Sequence, residues 1–192
     1  LSFLFCWDLS LDVIVFAFVA FLMLKLKAIR ENEKRLAKTD YLTGAINPAG
    51  FSEILEAEIN RSKRFNMPLS IAYIDCDDFS AVNNSLGHKE GNKVLSFVAE
   101  TIQKNIRKTD FLSRLVDDEF ALLLVGTTPE NALNVINKLN DLLLYKMKKQ
   151  NYPITFSIGL ASFKVPPESG DIMLKTADML MYSVKSTTKN AV

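Results

Sequence analysis

The chain has 192 residues, 48% of them hydrophobic, which suits one ordinary domain with its own core plus a short appendage. Its 23 basic and 22 acidic residues leave a net charge of +1, and this excludes a general nucleic-acid binder, which carries a marked basic excess. The two cysteines, Cys6 and Cys76, stand far apart and outline neither a disulfide framework nor a metal cluster.

The first element in chain order is apolar. Residues 13–24 carry no charge, and extension back through Leu11 and Leu9 makes a membrane-spanning helix within residues 1–27. Lys25, Lys27, Arg30, Lys34, Arg35 and Lys38 follow at once, so the downstream side is expected in the cytoplasm of a bacterial cell, with the span in its inner membrane. A signal peptide would carry its charges before the apolar run rather than after it. A buried hydrophobic helix is the competing reading of the run. Residues 28–39 lack Gly and Pro and read as a connecting helix. Leu22, Ile29 and Leu36 recur at heptad spacing, but the companion seam Leu26, Glu33, Asp40 turns polar, so a paired and a solvated single helix both remain open.

From residue 40 the pattern becomes that of a compact α/β unit. Asn47 and Pro48 cap and start a helix that runs to about residue 65. Residues 69–74 read as a central strand ending at Asp75. A long helix is predicted over 89–107, with Val94, Leu95, Val98, Ile102 and Ile106 at helical spacing. Two strand-like runs, 111–115 and 120–125, then flank the acidic tip Val116-Asp117-Asp118. Pro129 begins another helix, 154–163 is a strand in which Gly159 marks a bulge or a close backbone approach, and 171–185 is the last helix. The order matches the split βαβ pattern of an α+β, ferredoxin-like fold with a mainly antiparallel sheet flanked by helices.

Several ordered motifs then carry a resemblance. They are Asp40-Tyr41-Leu42-Thr43-Gly44, the block from Asp75 through Asn83 and Gly87-His88 to Gly91-Asn92, Val116-Asp117-Asp118-Glu119-Phe120, Ser157-Ile158-Gly159 and Ala177-Asp178 to Lys185. Residues 40–192 resemble a GGDEF domain, the nucleotide-cyclase-like module of diguanylate cyclases, with Val116 and Asp117 standing where the family has two glycines. The resemblance implies condensation of two GTP into cyclic di-GMP with Mg2+, each GTP held by one half of a homodimer. It implies Asp118 and Glu119 as catalytic residues, Asp75, Cys76 and Asp118 at the metal, and Asn83, Asn92, Asp117, Lys185 and Lys189 at the nucleotide. Arg107 and Asp110 match the R-x-x-D inhibitory site at which such domains bind cyclic di-GMP. Read as ordinary structure, the Cys76 thiol is a small buried group, His88 belongs to its turn, and Arg107 and Asp110 end a helix and start a turn.

Three departures bear on GTP. Tight hairpins require φ > 0 at the tip, which β-branched Val116 resists, and Asp117 brings a negative charge toward a polyanionic ligand. Asn92 stands where the family has Asp, so an amide replaces a guanine-reading carboxylate, and Asn84 and Ser80 differ as well. The reading is a degenerate, weak or inactive module acting as a membrane-attached cyclic di-GMP receptor, or pairing with another signalling domain. The alternative is an active diguanylate cyclase.

Overall fold

The structure, a computed structural model, describes residues 15–27, 38–187 and 191–192. The chain forms two compact units, Leu1–Ala37 and Lys38–Val192. In the first, residues 15–27 are one helix, α1. Among the described residues no helix is long and apolar enough to cross a membrane. The expected span also draws on residues 1–14, and the connecting helix on residues 28–37, and both segments lie outside the described residues. Lys38 and Thr39, expected to end that helix, are not helical. Asn47 N–H donates to the Lys38 carbonyl at 3.0 Å, and Thr39 bridges Ile46, so their backbone is satisfied across a turn instead.

In the second unit, α2 (Pro48–Phe65) starts where Asn47 Oδ1 accepts from Gly50 N–H at 2.8 Å, with proline at its head, and stops at Asn66 in the left-handed region, φ 51°. Strand β1 (Leu69–Asp77) follows and runs two residues past the expected end at Asp75. Asp77 is held there by hydroxyl donors from across the sheet, Thr155 and Ser157, each at 2.7 Å. Helix α3 (Phe79–Leu86) has no counterpart in the sequence reading, because its Ser- and Asn-rich octet carries weak helix propensity and little periodicity. Then come α4 (His88–Asn105), the hairpin strands β2 (Phe111–Val116) and β3 (Glu119–Val125), α5 (Pro129–Lys149), β4 (Thr155–Phe163) and α6 (Gly170–Thr187).

The four strands lie in the order β2-β3-β1-β4 with every neighbouring pair antiparallel, the ferredoxin-like arrangement expected from the element order. Alternation along β1 sends Ala72, Ile74 and Cys76 to one face, where Val82, Val98, Ile102, Ile136 and Leu143 from α3, α4 and α5 cover them. Leu69 and Ile71 point to the other face, against Phe51, Leu55 and Ile59 of α2 and Met173 and Ala177 of α6. Each fully buried Ile, Leu or Phe contributes ~1.5–3 kcal/mol, so two covered faces hold the sheet rigid beneath whatever its ends carry. Gly159 is the close approach: a Cβ there would lie 2.1 Å from the Ala177 carbonyl oxygen and 2.2 Å from Met181 N. Helix α6 rests directly on bare strand backbone.

Candidate functional site

The carboxyl end of β1 and the tip of the β2–β3 hairpin meet because of register. Asp75 and Glu119 are Cα partners on adjacent antiparallel strands, and Cys76 N–H reaches the Asp118 carbonyl at 3.4 Å. Asp75 is only 3% exposed, and its Oδ2 accepts from Lys185 Nζ of α6 at 2.7 Å. Its Oδ1 is buried with no hydrogen-bond partner. An ionised oxygen left bare in the interior is costly, and it marks a place for a cation or a donor. Asp118 stands beside it, and burial first, then the negative charge of Asp75, push its carboxyl up to about 6. Burial pulls the Lys185 ammonium down, but the hydrogen bond and charge of Asp75, aided by Asp118 and Asp77, outweigh it and hold the ammonium above its ordinary value.

Two further side chains, singled out by nothing in the motifs, position the hairpin. The Tyr73 hydroxyl donates to Glu119 Oε2 at 2.6 Å, and burial, then Glu119, raise the phenol so that it stays protonated. Arg114 Nε donates to the Asp117 carbonyl at 2.8 Å while its Nη1 reaches Asp40 Oδ1 at 3.2 Å, tying the opening motif to the tip. Burial opposes ionisation of Asp40, but hydrogen bonds from Thr43 and Arg114 prevail and lower its carboxyl. A charged residue on a strand two positions before an acidic turn was the one sequence signal for Arg114.

A cavity of about 580 Å³ opens beside this cluster, and Asn83, Asn92, Asp117, Asp118 and Lys185 all line it. His88, read from the sequence as a turn residue, is exposed and lines it too. Val116 does not. It ends β2, where a β-branched residue belongs, and it is Asp117 that takes the positive φ, 41°. The strain expected at Val116 is absent, because the hairpin bends one residue later, at a type that tolerates the left-handed region. Of Val116 and Asp117, only Asp117 lines the cavity.

Cys76 also lines the cavity, and the remaining expected residues fall elsewhere. The Cys76 thiol is wholly buried in the core and held far above its ordinary value by burial, then by Asp118, so its backbone oxygen is what remains for a hard cation. Arg107 is exposed at the α4–β2 turn, whereas the Asp110 carboxylate is already engaged, accepting from Arg107 N–H at 3.0 Å and Val125 N–H at 3.3 Å. Lys189 lies outside the described residues. Among the described residues no three His, Cys, Asp or Glu side chains stand together as a metal cage. The bare Asp75 Oδ1 and the Asp118 carboxyl nonetheless fit Mg2+, which binds through one or two carboxylates and completes its shell with water and substrate phosphate.

Comparison with known proteins gives concordant results. A family profile described as "Diguanylate cyclase, GGDEF domain" matches residues 37–191. The chain is 34% identical over 158 residues to the diguanylate cyclase DgcP of Pseudomonas aeruginosa, covering 81% of this chain and 23% of that protein. It is 26% identical over 193 residues to the probable diguanylate cyclase DgcC of Escherichia coli, covering 96% of this chain and 52% of that one. The chain thus spans roughly a quarter to a half of the length of these curated relatives. Among solved structures, the GGDEF domain of DgcB from Caulobacter crescentus, in complex with c-di-GMP, superposes with a TM-score of 0.75 at 26% identity, covering 81% of this chain and 94% of that one.

Proposed function

The chain belongs to the GGDEF family of diguanylate cyclase domains, and from that membership we propose that its cleft binds GTP with Mg2+ and condenses two GTP into cyclic di-GMP, slowly. The observation that carries this reading is the buried, unpartnered Asp75 Oδ1 beside the raised Asp118 carboxyl, a paired anionic seat for a divalent cation. Bound there, Mg2+ would neutralise the triphosphate and favour ionisation of the attacking hydroxyl.

The rest falls to the chain's own side chains. Lys185, fixed by Asp75, directs positive charge into the cleft toward phosphate oxygens. Tyr73 holds Glu119 in one rotamer beside Asp75, and Arg114 fixes the backbone of the tip. In each half-reaction a 3′-oxygen bonds to the α-phosphorus of the facing GTP and pyrophosphate leaves. Two copies of the domain, each holding one GTP, therefore make one cyclic product and release two pyrophosphates. Turnover is slow because Asp117 sets a carboxylate in a cleft meant for a polyanion, and Asn92 lacks the second acceptor of an aspartate.

Incubation with GTP and Mg2+, with products separated by chromatography, tests this. The parent chain yields detectable cyclic di-GMP, and a copy carrying Val116→Gly, Asp117→Gly and Asn92→Asp yields roughly tenfold more or better per unit time. No product from either copy, in a folded dimeric sample, ends the cyclase reading.

A second reading, a cyclic di-GMP receptor without turnover, is favoured by the exposed guanidinium of Arg107, a planar fork suited to a guanine edge. The engaged Asp110 carboxylate weighs against it. Calorimetry with cyclic di-GMP shows micromolar binding that Arg107→Ala removes if this reading holds. Absence of heat up to high micromolar ligand retires it.

A further inference from the structure

Each helix of the second unit buries residues in one of its two cores, whereas every residue of α1 is exposed. Helix α1 carries nine large apolar side chains, from Val15 to Leu26, each between 43% and 79% exposed. At roughly 100° per residue they leave no arc of the helix wider than about 80° without one. Val19 and Phe21, for instance, project to nearly opposite sides. Charge is confined to one end. Lys25 and Lys27 are the charged side chains of α1, both in its last turn, and Lys25 Nζ lies 5.8 Å from the centroid of the Phe21 ring.

That distribution selects the occupant. A second copy, or a protein with a groove, covers one stripe of a helix and leaves the rest in water. A bilayer covers all of it. The helix meets lipid at little cost, because its backbone N–H and C=O groups bond to one another. Two lysines at one end, with no acidic residue in the helix, place that end at headgroups of negative charge. The 13 residues 15–27 rise about 20 Å, so α1 enters a hydrocarbon core about 30 Å thick without crossing it alone.

We infer that α1 is embedded in an anionic lipid bilayer, with Lys25 and Lys27 at the headgroups, and that this surface gathers the two copies one cyclic product requires. The anchor stands on α1 alone, and the gathering rests on the cyclase reading above. Confinement to a surface raises the concentration that one copy presents to another with no new protein contact.

Flotation of the full chain with lipid vesicles tests the anchor. The chain rises with phosphatidylcholine vesicles that contain about a quarter phosphatidylglycerol, and its affinity for pure phosphatidylcholine is at least about fivefold lower. Val19→Asp and Phe21→Asp each weaken flotation at least about tenfold, because lipid touches both sides, while the thermal melt of the second unit is unchanged. A chain that stays below both vesicle types overturns the anchor. So does a loss confined to one of the two variants, which would mark a protein partner on that side. Equal affinity for the two lipids overturns the anionic surface. Spreading the same amount of chain over about tenfold more lipid lowers cyclic di-GMP per chain several-fold. Product insensitive to that dilution overturns the gathering. No product at any density ends the cyclase reading and the gathering with it, while flotation still decides the anchor.

Discussion

Asp75→Asn lowers cyclic di-GMP formation by at least about a hundredfold, the scale on which removal of one charge-stabilising group slows an enzyme. The substitution is nearly isosteric at a residue 3% exposed, so the strand and its register stay in place. What goes is the negative charge that both fixes Lys185 and leaves Oδ1 available to a cation. A second readout does not depend on turnover. Burial and Asp75 together raise the Asp118 carboxyl to about 6, so deleting one of the two causes moves its titration down toward the ordinary carboxylate range, which carbon-detected NMR of the labelled carboxyl reports. The sign for stability follows. A carboxyl raised in the folded state favours folding while protonated, below its unfolded value, and that contribution is lost as pH rises through about 6. In Asp75→Asn the loss is smaller and comes at lower pH. Turnover within a few-fold of the parent, or an Asp118 titration that does not move, would contradict this account of the pair.

Gly159→Ala is the largest stability change expected in the fold. The added methyl would stand 2.1 Å from the Ala177 carbonyl oxygen and 2.8 Å from Met181 Cα, and both contacts are backbone that cannot swing away. Helix α6 must lift from the sheet, at about 3 kcal/mol, the upper range for overpacking. Thermal melts followed by circular dichroism should fall by roughly 6–12 °C for a domain of this size. Because α6 also delivers Lys185 to Asp75, nucleotide affinity falls in the same variant at temperatures where it is still folded. Gly126→Ala is the control. Its φ of 62° carries a conformational penalty of about 1–2 kcal/mol, but a Cβ there meets nothing within 4 Å, so its melt falls by only roughly 2–6 °C. Equal shifts in the two variants would remove the close approach as the cause.

Local chemistry made most of the architecture legible. The Asn47-Pro48 start, the apolar spacing of α4, the Pro129 start of α5 and the strand runs around the tip are each written within a few neighbouring residues, and they reappear within two residues of their expected bounds. What escaped depends on partners far along the chain. Nothing near Asp77 announces the hydroxyls of Thr155 and Ser157 that let β1 continue, and nothing near Asp110 announces the Val125 N–H that occupies its carboxylate. The site divides the same way. Motif spacing found Asp75, Asp118 and Lys185, and the fold brings them together. The roles of Tyr73 and Arg114, and the withdrawal of Val116 from the cavity, exist only once the hairpin is folded.

The hairpin's two-residue closure has a consequence for how such a site can drift. Val116 pairs with Glu119 across the tip, and below it Asp75 faces Glu119 strand to strand. Side chains alternate with a period of two, so a one-residue slip of β3 along β1 would turn Glu119 away from Tyr73 and swing Asp118 off the cavity. In this chain Val116 ends the strand and Asp117 turns the loop at positive φ, so the two-residue closure stands without a glycine. Substitution at the tip keeps the site in register where position 117 tolerates the left-handed region, whereas a slip of the strand undoes the site whatever its letters.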